Sequence, residues 1–275
     1  MNLLNAATLR RVAALAVILN GLFPAVWIFL TSLKTEAELS QTPITWLPRE
    51  PTLVNYVRAF HDQPLALYLF NSLAVAGMTT ILTLLIAILA AYALGRVRFA
   101  CREVALAAII AVSTFPLVTL LVPLFQTMRT LNLLNSYAAL VLPYTVLSLP
   151  ICTLVLISFF QTIPIDLENA AMIDGCSRVG ALFRIIVPLS TPGVFTAGLL
   201  AFVNAWDEFL LALSFNSAAR MRTLPVGITL YQGEFTFPWP VISAALIVGI
   251  VPVVTLIIVF QQRVIAGLSA GGVKG

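Results

Sequence analysis

The 275-residue chain is 60% hydrophobic and only 9% charged, and its mean hydropathy is +1.03. Soluble domains carry about a quarter of their residues as charges, so a water-soluble globule is excluded. A helix crosses about 30 Å of hydrocarbon with roughly 20 apolar residues, and that ruler predicts spans at 12–33, 70–94, 104–125, 137–160, 193–214 and 241–262. The runs are continuously apolar rather than alternating, which excludes a barrel. The fold class is all-α: a polytopic membrane protein with six transmembrane helices in one domain.

In chain order, Arg10-Arg11 precede a first apolar run longer than a signal core and without a clear cleavage site, so it is expected to stay as the first span. With the N-terminus inside, Arg10, Arg11, Arg96, Arg98, Arg102, Arg178, Arg184, Arg263 and Lys274 face the cytoplasm, and Lys34, Arg49, Arg58, Arg129, Arg220 and Arg222 face outward. That bias satisfies the positive-inside rule and puts both termini in the cytoplasm. The formal charge of +4 then reflects topology rather than a nucleic-acid partner. Residues 34–64 form a polar outer loop, broken at Thr42-Pro43, Leu47-Pro48 and Glu50-Pro51, with a short interfacial helix over 55–60. Trp27, Trp46, Trp206 and Trp239 sit at outer boundaries, as an interfacial belt requires. Pro24, Pro116, Pro123, Pro143, Pro150 and Pro252 interrupt the spans and predict kinks. Cys101, Cys152 and Cys176 share no loop, so they predict neither a disulfide nor a zinc site. His61 reads as surface decoration in the outer loop.

Residues 161–192 are a polar stretch between long apolar runs, and a membrane chain keeps such a stretch only where it leaves the bilayer. Pro164 and Asp166 start a helix running through Asp174; Gly175 stops it by adopting the left-handed conformation. Ser177 caps a second helix reaching Ile185, ended by Pro188. Helix, glycine hinge and helix make a knob. Its small residues Ala170, Ala171, Gly175, Gly180 and Ala181 admit another protein's surface, and Glu168, Asp174, Arg178 and Arg184 form a polar rim.

On the fifth span, Gly193, Ala197, Ala201 and Ala205 recur every fourth residue, a stripe on which a helix of this chain or of a partner can pack closely. Polar groups at membrane depth are costly and usually face a cavity, so Asn204, Asp207 and Glu208 are expected to mark the outer part of a translocation path. An outer loop follows at 215–240. The only lysines, Lys34 and Lys274, leave no phosphate-cradling loop, and no metal or nucleophile motif occurs. The chain is therefore expected not to be an enzyme.

The pattern Ala170-Ala171-x3-Gly175-x9-Ile185-x-Val187-Pro188 closely resembles the "EAA" loop of permease subunits in bacterial ATP-binding-cassette importers. Asn169 stands where that family has Glu, with Glu168 one residue earlier. The likeness covers nearly the whole chain and is closest to the maltose-type sugar permeases, through Ser32-Leu33-Lys34, Trp46-Leu47-Pro48, Asn55-Tyr56, Asn71-Ser72, Ala91-Tyr92-Ala93-Leu94, Arg98-Phe99 and the tail 266–275. It implies the type I permease fold in a bacterial cytoplasmic membrane. It also implies a second homologous permease, an extracytoplasmic substrate-binding protein touching 215–240, and an ATPase dimer holding ATP and Mg, with no cofactor on this chain. Carried onto this sequence, ATPase coupling falls to Glu168, Asn169, Ala170, Ala171, Asp174, Gly175, Arg178, Gly180 and Arg184 in the 161–192 loop. The cytoplasmic tail 263–275 would reach the ATPase through Gly271, Gly272 and Lys274. The implied cargo is a disaccharide or glycoside of the maltose, trehalose or glucosyl polyol class. A secondary transporter driven by an ion gradient is the alternative; it requires paired intramembrane acids and inverted repeats.

Overall fold

The computed structural model describes residues 2–233 and 236–272, and all regular structure among them is helical. Two compact units are present, one made of residues 1–66 and 227–251, the other of 67–226 and 252–275.

In the first unit, α1 (Asn2–Ser32) is mostly apolar all round beyond Arg11 and leaves side chains such as Val17 exposed, as a helix facing lipid or another membrane chain must. The segment after it is ordered by buried polar groups. Thr35 caps the four-residue α2 (Glu36–Leu39) through the Glu38 N–H. The Glu38 carboxylate, only 5% exposed, accepts from the Thr45 hydroxyl at 2.6 Å and the Arg49 N–H at 3.1 Å. Lys34 is buried too; its ammonium donates to the Thr45 carbonyl and lies 5.0 Å from the Trp27 ring centre. Asn55, on α3 (Val54–Asp62), donates to the carbonyls of Ser32 and Lys34, both at 2.8 Å. The short helix expected over 55–60 is therefore longer by a few residues, and the loop before it is a stapled collar. Tyr231 donates to the Ala59 carbonyl and ties α3 to the later part of this unit.

The second unit takes in most of α4 (Leu65–Arg96), then α5 (Arg102–Ser113), α6 (Leu117–Thr130) and α7 (Ala138–Thr162). Next come α8 (Ile165–Ile173), α9 (Arg178–Ala181), a π-helical turn (Leu182–Ile186) and α10 (Val187–Leu189). It continues with α11 (Thr191–Asp207), α12 (Leu210–Phe215), a 3-10 turn (Ala219–Met221) and the start of α13 (Leu224–Thr229). The last helix, α14 (Trp239–Gly272), runs through both units.

Four helices are long and apolar enough to cross a membrane, and six spans result when each of two bent pairs counts as one. The first bend corrects the expected third span, and the second, of 84°, lies ahead of the expected fifth, where the helical stretches 178–189 and 191–207 meet. Instead of a continuous 104–125, α5 and α6 meet at 96°. The Ser113 and Thr114 hydroxyls bond back to Ile110 and Ala111 carbonyls at 2.7 and 2.8 Å, and Pro116 has no N–H to continue the ladder. The other interior prolines, Pro24, Pro123, Pro143, Pro150 and Pro252, lie within continuous helices. Likewise 193–214 is not one helix: α11 stops at Asp207, Glu208 is extended with ψ 124°, and α12 starts anew.

The core of this unit joins α4, α7 and α11. Ala87 and Ala91, Cys152, Leu156 and Phe160, and Ala197 and Ala201 are all 0% exposed. The small-residue stripe packs inside the chain, because Gly193, Ala197, Ala201 and Ala205 are buried and α7 is the main partner of α11. The fit is tight: a Cβ on Gly193 would lie 2.4 Å from Phe159 Cγ and 2.8 Å from its Cβ.

Gly193→Ala should therefore destabilise the purified protein by about 1–3 kcal/mol, the usual cost of overpacking; an unchanged melting temperature in detergent would show that the two helices are free to separate. The collar carries a pH dependence. The Thr45 hydrogen bond above all, with the Arg49 N–H and the nearby Lys34 charge, holds the Glu38 carboxyl below its ordinary 4.5. Its stabilisation is complete above pH 4.5 and is lost as pH falls through the lowered folded value. Hydrogen exchange at 35–49, corrected for intrinsic rate, should accelerate at that acid limb, and Glu38→Gln should abolish the dependence.

Candidate functional site

The knob is built by backbone chemistry that the sequence announces. α8 begins after Pro164, with Asp166 and Glu168 contributing negative charge in its first turn, although no side chain caps it. At its end Gly175 takes φ +86°, its N–H bonds Met172 O at 3.1 Å, and the Cys176 N–H returns to Ala171 O at 2.9 Å. This is the glycine stop expected at Gly175. The Ser177 hydroxyl accepts the Gly180 N–H at 3.1 Å and starts α9. The second helix does not end at Pro188. It widens into the π turn, in which the Val187 N–H reaches back five residues to Leu182 O, and continues to Leu189. Widening accommodates a residue that can neither donate nor sit close to the carbonyl before it.

The knob has two faces. Outward lie Asn169, Ala170, Asp174, Gly175, Arg178 and Arg184, all exposed. Among them sit the exposed apolar side chains of Leu167, Ile173, Val179 and Phe183, with Ile173 86% exposed. Inward, Ala181, Leu182 and Ile186 are 0% exposed, and Leu182 and Ile186 join the α4–α7–α11 core. Ala171 is buried and Gly180 half-buried, so the small residues divide between the faces rather than forming one surface.

Glu168 corrects the expected polar rim. It is 5% exposed and turned inward, where its Oε2 accepts from Arg96 Nε at 3.1 Å and its Oε1 accepts the Tyr92 hydroxyl. Arg96 Nη1 also donates to the carbonyls of Phe160 at 3.2 Å and Ile163 at 2.6 Å, the free C-terminal carbonyls of α7. One guanidinium thus fastens α4, α7 and α8 together. Sequence reading placed Arg96 only as a topology charge. Tyr92 and Arg96, four residues apart, share one helix face, but the acid they hold lies 72 or more residues away along the chain.

At the opposite end of the same unit, the three polar residues of the fifth span separate. Asn204 and Asp207 are exposed on one face of α11. Glu208 turns away, accepting the Tyr144 hydroxyl and the N–H groups of Leu211 at 2.8 Å and Ala212 at 3.1 Å, so it caps α12. The 215–240 stretch is not a single loop: its first part is helical and belongs to the second unit, and residues from 227 belong to the first. In the first unit, a cavity of about 670 Å³ is lined by Glu36, Arg58, Asp62, Gln232 and Trp239, with Arg58 paired to Glu36 at 2.9 Å. Gly271 and Gly272 close α14, and Lys274 lies outside the described residues. Among the described residues no group of His, Cys, Asp or Glu converges to hold a metal ion.

Residues 83–268 match the family of binding-protein-dependent transport system inner membrane components. The chain is 71% identical to the sulfoquinovosyl glycerol transport system permease protein SmoH of Agrobacterium fabrum over 97% of this chain and 94% of that one. It is 38% identical to the trehalose/maltose transport system permease protein MalG of Thermococcus litoralis over 96% and 95%. It is 35% identical to the trehalose transport system permease protein SugB of Mycobacterium tuberculosis over 93% of each. Its fold matches that of a bacterial ABC transporter involved in the import of the acidic polysaccharide alginate, with a TM-score of 0.80, 22% identity, and 93% and 95% of the two chains covered. The expected all-α, type I permease fold is borne out.

The buried pair yields a non-additive mutant cycle. Arg96→Met and Glu168→Leu should each lower stability by about 3–5 kcal/mol, because each strands the other's charge. The double variant should recover most of the loss in thermal unfolding; simple addition of the two costs would mean the pair is not coupled.

Proposed function

The chain belongs to the binding-protein-dependent transport system inner membrane components, and from that membership we propose that it is a permease subunit of an ATP-driven glycoside importer in a bacterial inner membrane. The observation that carries the reading is the two-faced knob. Its exposed side, with Ile173, Val179 and Phe183 among Asn169, Asp174, Arg178 and Arg184, suits a cytoplasmic ATPase subunit. Its buried side, Leu182, Ile186 and Glu168, is continuous with the helices that cross the membrane. An ATPase dimer closing on ATP pulls the knob, and α4, α7 and α11 move with it.

The complete pathway requires a second, homologous permease, and the exposed Asn204 and Asp207 line this chain's half of it. On this reading both termini are cytoplasmic and the tail with Gly271, Gly272 and Lys274 approaches the ATPase. A substrate-binding protein delivers cargo at the far end and contacts the 34–64 and 215–240 segments, with the polar cavity around Arg58 and Trp239 within that footprint. ATP and Mg are held by the ATPase, and this chain carries no catalytic group. The cargo is a glycosyl glycerol. The sulfoquinovosyl glycerol permease, with which the chain shares 71% of its residues, points to a sulfonated glycoside rather than the neutral sugars its more distant relatives are named for.

The assembled transporter in proteoliposomes, supplied with its binding protein, should take up sulfoquinovosyl glycerol only with ATP inside, and an ionophore should not stop it. Gly175→Val should abolish that uptake while the binding protein's own affinity stays unchanged, since φ +86° strains any β-branched residue. Uptake that survives without ATP but collapses with the ion gradient would overturn the assignment.

A further inference from the structure

The end of the second unit away from the knob carries cations with nothing to hold. Residues 216–224 are fixed by an unusual number of side-chain bonds to their backbone. Asn71, 0% exposed, donates to the carbonyls of both Arg220 and Arg222, at 3.0 and 2.8 Å, and accepts the Tyr137 hydroxyl at 2.8 Å. The Leu224 N–H bonds the Ser72 hydroxyl at 2.8 Å, and the Ala218 N–H bonds Asn135 Oδ1 at 2.7 Å. Asn216 donates to the Ser136 carbonyl at 3.2 Å. The main chain is anchored to α4 and to the segment before α7, yet the Arg220 and Arg222 guanidinium groups make no hydrogen bond or ion pair among the described residues.

Arg129 is a third such group. It is exposed in the last turn of α6, one turn after Phe125, whose ring lies 5.9 Å from that of Phe215. The Asn135 N–H bonds the Phe215 carbonyl at 3.0 Å, so the α6 end and the 216–222 segment share one edge of the unit. The acids at that edge do not neutralise these cations. Glu208 is taken up by Tyr144 and the start of α12, which leaves Asp207. Among the described residues, three free guanidinium groups therefore stand against one free carboxylate. Arg guanidinium is the side chain best matched to a tetrahedral oxyanion, and a fixed cationic rim above a low-dielectric pathway concentrates anions at its mouth.

We infer that Arg220 and Arg222, whose main chain Asn71 fixes, together with Arg129 form an anion-receiving rim that accepts the sulfonate end of the glycoside as it leaves the binding protein. The inference rests on the sulfonated-glycoside reading above, and it adds that discrimination for the charged head group is built into this chain. Asn71 is a positioning residue in this scheme; the arginines touch the substrate.

The test compares uptake of sulfoquinovosyl glycerol with uptake of neutral glucosyl glycerol by the whole transporter in proteoliposomes. Arg220→Gln/Arg222→Gln should lower kcat/KM for the sulfonated glycoside about tenfold, at the modest end of electrostatic focusing, and leave the neutral one unchanged. Arg220→Lys/Arg222→Lys should restore most of it, which a merely structural role would not predict. The concentration of loaded binding protein giving half-maximal ATPase stimulation should not move. An equal loss for both glycosides, or a shift in that half-maximal concentration, would assign the arginines to the binding protein or to lipid head groups and overturn the inference. No change for either glycoside would overturn it as well. A wild-type transporter that imports only glucosyl glycerol would instead refute the substrate reading, and the inference with it.

Discussion

One buried ion pair organises the second unit. Glu168 reaches the core from the first turn of the knob, and Arg96 meets it from the last turn of α4 while closing the C-terminal carbonyls of α7. Burial of two charges is costly unless their remaining bonding capacity is met. Here Tyr92 takes the second carboxylate oxygen and the carbonyls of Phe160 and Ile163 take Arg96 Nη1, while Nη2 is buried without a partner among the described residues. The geometry can be satisfied only when three helix ends occupy one arrangement. That is a stronger constraint than apolar packing, which tolerates sliding.

Elsewhere the breaks in the helices carry the polar chemistry. Membrane-spanning backbone must satisfy its own hydrogen bonds, so an interruption needs local partners. Ser113 and Thr114 supply hydroxyls where α5 turns into α6. Glu208 supplies a carboxylate to the open N–H groups of α12. The π turn supplies a longer-range bond ahead of Pro188. Each break converts a straight span into a piece with a defined exit angle, which is how a chain of ordinary apolar helices acquires a shaped interior.

Much of this was legible in advance. Apolar length found four spans outright and six when each bent pair counts as one, Gly175 marked the stop of the first knob helix and Ser177 the start of the second, because those features depend on residues close in sequence. The bend at Pro116 and the end of α11 at Asp207 escaped the hydropathy ruler, which averages over windows longer than the break. The inward turn of Glu168 escaped for a different reason: its partners Tyr92 and Arg96 lie more than 70 residues away. No local pattern distinguishes an acid that meets solvent from one that meets an arginine. The stripe from Gly193 to Ala205 was readable as a packing surface, yet only the structure identifies α7, with Phe159 against Gly193, as the helix packed on it.

These arrangements bear on how force could cross the unit. In lipid there is no hydrophobic penalty for moving one apolar helix along another, so the α4–α7–α11 contacts resist separation mainly through close packing. A pull applied to the knob would dissipate in such contacts if they were its only connection. The Arg96–Glu168 pair lies where the chain turns out of the apolar region, at the junction between the exposed knob and the long helices. Separating the pair would strand a charge at a cost of several kcal/mol, whereas rotating the three fastened ends together costs only the slippage of their far portions. The stiff element therefore belongs at the knob and the compliant ones toward Asn204 and Asp207. On the proposed function, a displacement imposed at one end would then emerge at the other as a change in width rather than as a break.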